Sequence, residues 1–442
     1  MTKIKEALRS GEFIDRHKRS AQDFTRIRYL PFRVVFVMSL AKSVKSNQLM
    51  LNELLPKLAF WRKPVSGAAY TKARSKLKHT AFIELNQIAV LETIYQKDSR
   101  GRPEYRTKYG HRILAVDGSR IIVPSNKHTV REFGIQKFNN TLGDGGKGVV
   151  GEHATALIST LYDVLNNVAL DAQILPISTS ELGIAISHFK QLEKDDLVLL
   201  DRGYASYLTL AEISVSPGDV VVRCSSVSFT QARMMLAKSG ADDVVMKLKA
   251  TRGIKEKQGS RIIGGELPSE IAIRFVRVVL NTGEVEVLAT TLLDQDKYPT
   301  ELFKEIYWLR WGVETFYNVL KSRLSLDSFS GTSPESIRQD FHASVLLSGI
   351  ETILTEDARA TLGERDTEHP LRVNKAVSFN AIKNRAFELF MSDRSISTIL
   401  RELTELFQTN PTSYRKDKSP KRNEPSAHRS LGYAKRKKKM VY

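Results

Sequence analysis

The chain has 442 residues, of which 41% are hydrophobic and 26% are charged, and its formal net charge is +19. This hydrophobic share supports a buried core and excludes a largely disordered chain, while the length favours two to four domains over one. The positive charge indicates a polyanionic partner. A single cysteine excludes an internal disulfide bond, the charged start Met1–Glu6 is not the pattern of a signal peptide, and the apolar runs are too short to cross a bilayer. We therefore expect a soluble cytoplasmic protein.

The positive charge is concentrated at the two ends of the chain. Residues 1–110 contain 23 Lys or Arg against 9 Asp or Glu, a net charge of +14, and residues 411–442 contain 11 against 2, a net charge of +9. The residues between them are slightly acidic. This distribution is typical of a protein that holds phosphates with its ends and keeps cation-binding carboxylates in its centre. The alternative is a basic surface that only maintains solubility.

The amino-terminal region is predicted to be helical, because its apolar residues recur with helical spacing. The stretches 47–58 and 67–78, joined by a turn at Lys63–Ser66, have the lengths of a helix-turn-helix. The side chains expected to contact DNA from its second helix are Tyr70, Lys72, Arg74 and Lys76. The alternative is a solvated basic face on an ordinary helical bundle.

A strand-rich pattern begins near residue 109. Strands are predicted at Arg112–Asp117, Ser119–Val123, His153–Val164 and Val168–Ile177, followed by a helix at Ser180–Glu193. The run Leu197–Asp201 is wholly apolar before its acid, which is typical of a strand buried on both faces. Three antiparallel strands, a helix and a buried strand follow the order of a ribonuclease H-like fold.

Residues 219–299 are also rich in strands. They include a hairpin predicted at Ala272–Leu280 and Glu284–Leu293 around the turn Asn281–Gly283. We interpret this block as an inserted β subdomain. From residue 411 the chain is rich in Pro, Ser, Lys and Arg, which favours disorder until a polyanion binds.

Two aspartates each end an apolar, strand-like run. Asp117 follows Ile113–Val116, and Asp201 follows Leu197–Leu200. A carboxylate at the end of a buried strand is costly to desolvate unless a cation or a hydrogen-bond donor meets it. For either residue alone, the alternative is an ordinary turn.

A long helix predicted from Pro299 to Leu324 carries a third acid. At 100° per residue its apolar residues form one buried stripe, made of Leu302, Ile306, Leu309, Val313, Phe316 and Leu320. An arc beside this stripe holds Tyr307, Arg310, Glu314 and Lys321. The alternative is a solvated face with an Arg310–Glu314 ion pair, which adds only a few tenths of a kcal/mol.

The spacing of these four residues resembles a family signature. Tyr307-x2-Arg310-x3-Glu314-x6-Lys321 is similar to the Y-R-E-K signature of the IS-four family of insertion-sequence DDE transposases. The runs Asp117-Gly118 and Asp201-Arg202-Gly203-Tyr204 resemble the first two acidic motifs of that family. They occur in the same order, with a β block before the third acid, and the resemblance spans about residues 45–350.

The resemblance implies a metal-dependent active site. Asp117, Asp201 and Glu314 would bind two Mg²⁺ ions, for which Mn²⁺ can substitute, with Asp117 bridging them. Hard divalent ions with oxygen ligands suit in-line attack on a phosphodiester. The implied reaction is cut-and-paste transposition, in which water cuts at the element end and the freed 3′-hydroxyl later attacks target DNA.

The resemblance also implies the DNA contacts and partners. Tyr307, Arg310 and Lys321 match positions that hold the terminal phosphates, and Arg202 is expected to contact DNA beside the second acid. The partners would be terminal inverted repeats, target DNA and a second copy of the chain in a homodimeric synaptic complex, in the bacterial nucleoid.

The predicted fold class is multidomain α/β, with a ribonuclease H-like mixed sheet interrupted by a β-rich insertion. The predicted regions are a helical DNA-binding domain (1–108), the first part of the catalytic core (109–218), a β-strand insertion (219–299), the second part of the core (300–355), a helical C-terminal region (356–410) and a basic tail (411–442).

Relatives that form a DNA hairpin stack a flipped base on an aromatic side chain, often Trp, of the inserted subdomain. Here the tryptophans lie outside it, at positions 61, 308 and 311, so that Phe229 or Phe275 would have to substitute. The run Gly143–Gly148 lacks the spacing of a phosphate-binding loop, and His153 is expected to be a core histidine.

Two other functions fit parts of the sequence. One is a non-catalytic DNA-binding regulator derived from a transposase, although the intact acids argue against it. The other is a structure-selective nuclease on the same core, which would cut DNA without joining it. The long helical amino-terminal region and the β block favour a transposase.

Overall fold

The computed structural model describes residues 1–26, 29–58, 63–138, 151–253, 261–262 and 265–414. The helices are α1 (Thr2–Ala7), α2 (Gly11–His17), α3 (Phe32–Leu40), α4 (Asn47–Leu54), α5 (Gly67–Arg74), α6 (Thr80–Leu85), α7 (Glu92–Ile94), α8 (Lys127–Phe133), α9 (Glu181–His188), α10 (Tyr207–Ser214), α11 (Thr230–Leu236), α12 (Leu302–Trp308), α13 (Trp311–Asn318), α14 (Pro334–Leu354), α15 (Glu356–Gly363), α16 (Lys375–Asn384), α17 (Ala386–Met391) and α18 (Ile396–Thr409). Single 3₁₀ turns are formed by Leu55–Lys57, Phe189–Gln191 and Arg202–Tyr204, and π-helical segments by Asn86–Leu91 and Val319–Arg323.

The strands form one large mixed sheet and two small hairpin-like pairs. They are β1 (Arg112–Ile122), β2 (Ile135–Phe138), β3 (Gly151–Asp163), β4 (Val168–Pro176), β5 (Asp196–Leu200), β6 (Asp219–Cys224), β7 (Asp243–Lys249), β8 (Arg261–Ile262), β9 (Gly265–Glu266), β10 (Glu270–Val279), β11 (Val285–Thr290), β12 (Leu371–Val373) and β13 (Pro411–Ser413). The order in the large sheet is β2-β3-β1-β5-β6-β11-β10-β7, and β4 also pairs with β3. The protein is therefore a mixed α/β structure.

The two runs that end in aspartate form the centre of this sheet. β1 pairs antiparallel with β3 and parallel with β5. Ile113–Val116 and Leu197–Leu200 are fully buried, because helices cover both faces of the parallel strands. The predicted strands at 112–117 and 119–123 are one continuous strand, so that the first aspartate lies within β1 and does not end it.

The longer strands of the β-rich block belong to the main sheet. β6 pairs parallel with β5, and β11, β10 and β7 extend the same sheet beyond it. The predicted boundary at residue 218 thus falls just before a strand of the main sheet. The predicted hairpin is confirmed: the Leu280 N–H donates to the Glu284 carbonyl, and Gly283 has a φ of +82°. Glycine accepts this left-handed conformation without steric cost.

The amino-terminal helices share a core with the carboxyl-terminal helices. α14 is buried along most of its length and packs against α3, α6 and β4. Arg74 at the end of α5 forms an ion pair with Asp340 of α14, and the His79 N–H donates to Glu335. The predicted helical content of residues 1–108 is confirmed, but this region packs as part of one larger helical layer.

A short strand lies just after the predicted start of the basic tail. β13 pairs with β12, so residues 411–413 belong to the helical carboxyl-terminal region. The rest of the tail, residues 415–442, and the glycine-rich run at 143–148 lie outside the described residues. Within the described residues, no helix combines the length and the apolar character needed to span a bilayer.

Candidate active site

Asp117 and Asp201 lie beside each other on neighbouring parallel strands. The register of β1 and β5 pairs Ala115 with Leu199. Asp117 lies two residues after Ala115, and Asp201 lies two residues after Leu199. The backbone of Asp201 is still extended, with φ −79° and ψ 170°. Residues two apart on a strand point to the same face, and neighbouring strands are about 4.8 Å apart. The sheet therefore brings the first two predicted acids together.

The helical segment that carries Glu314 is attached to both of these strands. The Tyr307 hydroxyl donates to the Leu200 carbonyl at 3.3 Å, directly before Asp201. The Tyr317 hydroxyl donates to the carbonyl of Asp117 at 2.7 Å. The segment is thus held to the backbone next to each aspartate, one tyrosine on either side of Glu314.

This segment is less regular than the predicted helix. α12 and α13 are separated at Leu309–Arg310, and Val319–Arg323 continues as a π-helical segment. A π-helical turn changes the angular position of the side chains that follow it and is frequent at functional sites. It carries Lys321, whose Nζ donates to Ser119 of β1 at 2.7 Å. The predicted apolar stripe is confirmed, since Ile306, Val313, Phe316 and Leu320 are buried and Leu302 and Leu309 are partly buried.

A close backbone contact seats α13 on the sheet. A Cβ atom on Gly312 would lie 2.9 Å from the Val164 side chain, so only glycine fits between helix and sheet. A bulkier residue here would push Glu314 away from the two aspartates.

Two of the three carboxylates form ion pairs with arginines. Arg310 Nη2 lies 2.8 Å from Glu314 Oε1, and this arginine is only 2% exposed. The predicted alternative of an Arg310–Glu314 pair on a solvated face is therefore wrong about the surroundings, although the pair exists. Arg223 Nη2 lies 2.7 Å from Asp201 Oδ1, and its Nη1 lies 2.8 Å from Glu286 Oε1.

Asp117 is the acid without an ion pair among the described residues. Its pKa is raised to about 6, mainly by burial and also by the nearby carboxylates of Glu314 and Asp201, against the Gly118 N–H and Arg310. For Asp201, burial also acts to raise the pKa, but the Arg202 N–H, Arg223 and Arg310 outweigh it, so that this pKa is lowered. The first acid thus holds a poorly compensated charge, which a cation would stabilise.

The donor set fits hard divalent cations, although the side chains are not gathered around one. Three carboxylates supply the oxygen ligands that Mg²⁺ prefers. In the part of the chain that the structure describes, no three His, Cys, Asp or Glu side chains come close enough to hold a metal ion. Arg223 forms an ion pair with Asp201, and Arg310 forms an ion pair with Glu314. The backbone positions and the uncompensated Asp117 fit a metal site.

The comparisons with known proteins identify a family for the chain. The family model described as transposase DDE domain matches residues 108–348, which contain all three acids. The chain belongs to the transposase DDE domain family. No curated protein matches the chain. The chain has 10% sequence identity and a TM-score of 0.41 with the piggyBac transposase in a synaptic complex with hairpin DNA, over 95% of this chain and 88% of that one. A likeness this distant supports no conclusion about this chain.

The matched DDE domain contains residues that sequence reasoning missed. Arg223 is the one charged residue within the apolar run of β6, which is the signal that might have been followed from the sequence. Tyr317 was not considered because it is one of many aromatic residues. Glu181 was also missed; it lies beside Gly118, where an added Cβ would be 3.7 Å from Glu181 Cδ and 3.6 Å from the hydroxyl of Tyr204 in the second acidic motif.

The residues expected to contact phosphates lie near the three acids, but most of them already form hydrogen bonds within the protein. Tyr307 is buried and bonded to Leu200, and Lys321 is bonded to Ser119. Arg310 holds Glu314, yet its buried Nε has no hydrogen-bond partner among the described residues. A buried donor without a partner is rare and indicates a missing acceptor. Arg202 is exposed beside Asp201.

Two of the expected amino-terminal DNA contacts are corrected by the structure. Tyr70 is buried and shares a hydrogen bond with Ser39. Arg74 is 3% exposed and bonded to Asp340. Both therefore belong to the shared helical core, since α5 turns this face towards α3 and α14. Lys72 remains exposed, and Lys76 pairs with Asp23 at 2.9 Å.

The aromatic residues suggested for a flipped base differ in their surroundings. Phe275 is fully buried in the sheet, which excludes it as a base platform. Phe229 is half-buried and lines a cavity of about 430 Å³ together with Arg202 and Lys249. Trp308 and Trp311, on the segment that carries Glu314, are 66% and 38% exposed. His153 lies on β3 and is only half-buried, so it is not a core histidine as expected.

Proposed function

We propose that this protein is a DNA transposase that cuts phosphodiester bonds at the ends of an insertion sequence and joins the freed 3′-hydroxyl to target DNA. The observation that carries the proposal is the placement of Asp117 and Asp201 on paired strands, with the segment of Glu314 tied to both. Membership of the transposase DDE domain family supports it. The order of β4, β3, β1, β5 and β6, three antiparallel strands followed by two parallel ones, supports a ribonuclease H-like core. The four-residue spacing supports the IS-four family.

Asp117, Asp201 and Glu314 would hold two divalent ions, Mg²⁺ or Mn²⁺. When bound, such ions activate the attacking oxygen and stabilise the leaving oxygen. Tyr307 and Tyr317 fix the distance between the helix and the strands, so that the carboxylates keep their positions during the reaction. Arg310, with its free Nε–H, and Lys321 would orient the phosphate groups next to the bond that is cut.

The charge distribution supports DNA as the partner. Exposed Arg202 and Lys72 would meet phosphates, and the basic tail would add affinity without sequence preference. We propose that two copies of the chain hold the two element ends in one synaptic complex, in the bacterial nucleoid. The residues that select the end sequence then lie elsewhere than on the buried face of α5.

The proposal is tested with the full chain and DNA that carries the inverted repeats flanking its gene. In Mg²⁺, we expect the natural protein to cut at the repeats and to join the freed ends to a plasmid. Asp117→Asn should bind the same DNA and leave it uncut. Glu305→Gln is the matched control, since Glu305 is an exposed acid of α12 that pairs with Lys108 and Tyr109. Equal cutting by the natural protein and Asp117→Asn would overturn the proposal.

A further inference from the structure

One oxygen of the Asp201 carboxylate, Oδ1, is saturated with hydrogen-bond donors. It accepts from the Arg202 N–H at 2.6 Å, from Arg223 Nη2 at 2.7 Å and from Arg223 Nε at 3.2 Å. A carboxylate oxygen offers two lone pairs, so this oxygen has none left for a metal ion. Divalent ions therefore compete with Arg223 for it.

We infer that Arg223 is a placeholder cation, which neutralises Asp201 in the metal-free protein and must release Oδ1 before that oxygen can bind a metal ion. The inference rests on the proposed function, because that function assigns Asp201 to the metal site. Arg223 would then set the affinity for divalent ions. It would also reduce the repulsion among the acids while the site holds no metal ion. This differs from a purely structural arginine, which would help Asp201 to bind metal.

A second carboxylate makes the displacement feasible. Arg223 Nη1 also contacts Glu286 of β11 at 2.8 Å, and the Glu286 side chain is largely buried. After it leaves Asp201, the guanidinium therefore remains anchored on one side and does not have to carry an unpaired charge into the protein. Since Arg223 is on β6 and Glu286 on β11, the anchor belongs to the sheet and does not move with the catalytic helix.

The charges of the site couple metal binding to DNA binding. Three carboxylates with two arginines, Arg223 and Arg310, carry one formal negative charge. Two divalent ions would turn this into three positive charges, which phosphate groups are suited to balance. DNA should therefore raise the affinity for metal, because the displaced guanidinium groups can turn to phosphate oxygens.

Metal binding to the full-length protein without DNA tests the inference. Isothermal titration calorimetry with Mn²⁺ compares the natural protein with Arg223→Met, which keeps a similar side-chain length and removes the charge. We expect the variant to bind Mn²⁺ on the order of fivefold more tightly, the equivalent of one partly exposed ion pair. Arg277→Met is the matched control, because Arg277 of β10 also forms an ion pair with an aspartate, Asp242, but away from the site. It should leave Mn²⁺ affinity unchanged.

Weaker or unchanged Mn²⁺ binding by Arg223→Met would overturn the inference and leave Arg223 as a positioning residue. Glu286→Gln decides the matter independently, also if Arg223→Met does not fold. By weakening the anchor it should strengthen the hold of Arg223 on Asp201 and weaken Mn²⁺ binding, whereas equal or tighter binding contradicts the inference. If none of the proteins binds Mn²⁺, with or without a DNA duplex, the proposed function itself fails.

Discussion

The hydroxyl of Tyr317 donates a 2.7 Å hydrogen bond to the carbonyl oxygen of Asp117, which joins the helix of the third acid to the strand of the first. We expect Tyr317→Phe to leave a buried carbonyl unpaired and to lower the free energy of unfolding by about 1–3 kcal/mol. DNA cutting should fall roughly tenfold, because Glu314 is held less firmly. Thermal unfolding and cleavage rates measure both effects. Tyr109→Phe, which removes an exposed bond to Glu305, should change neither, and a wild-type rate for Tyr317→Phe would contradict the role given to this bond.

Glu314→Gln separates binding from chemistry. The exchange keeps the size of the side chain and a hydrogen-bond acceptor for Arg310, but removes the charge of a metal ligand. We expect DNA binding to survive, as measured by gel shift, while cutting in Mg²⁺ falls by orders of magnitude. Near-normal cutting would show that Glu314 is only the ion-pair partner of Arg310.

Replacement of Arg74 should lower stability, whereas replacement of Lys72 should affect DNA binding, although both are basic residues of α5. Arg74→Ala leaves Asp340, which is fully buried, without its arginine, and we expect a loss of about 3–5 kcal/mol in the free energy of unfolding. Lys72→Ala should leave stability unchanged and reduce the slope of log affinity against log salt for DNA by about 0.9, as for one lost phosphate contact. Lys194→Ala, an exposed lysine before β5, is the control for the slope. A stable Arg74→Ala protein would contradict the shared helical core.

His342 should make the protein sensitive to acid. Burial is the largest cause that lowers its pKa to about 3, followed by the positive charge of His79. A histidine whose pKa is lowered on folding destabilises the folded state as the pH falls through the unfolded value of about 6.5 towards the folded one. Between pH 7 and pH 5 this residue alone costs at most about 2 kcal/mol. We expect His342→Gln to lose less stability than the natural protein over this interval in denaturant titrations, and an equal loss would show that His342 is not responsible.

Local patterns were sufficient for the strands that precede Asp117 and Asp201. The apolar runs before Asp117 and Asp201 predicted buried strands because short, wholly apolar runs are typical of strands covered on both faces. The segment of Glu314 was predicted from its apolar stripe, but its break and its π-helical turn were not, because they depend on contacts such as that of Gly312 with Val164.

The errors have a common cause in contacts between distant residues. Tyr70 and Arg74 are four residues apart on the buried stripe of α5. They were predicted to contact DNA because one of them is charged. The partner that makes burial of Arg74 favourable, Asp340, is 266 residues away. Likewise, nothing within residues 219–299 shows that β6 pairs with β5, since an apolar strand has the same local pattern whether it joins the main sheet or a sheet of its own.

The contact between Arg74 and Asp340 also determines the order in which the protein can fold during synthesis. The helices at the amino terminus are made first, yet the surface they pack against is α14, which is translated only after the whole sheet. Until then the apolar side chains of α3 and α6 have no permanent partner, and a nascent chain in this state is prone to aggregate or to need a chaperone. A chain released before α14 is made would therefore lack a folded amino-terminal helical region.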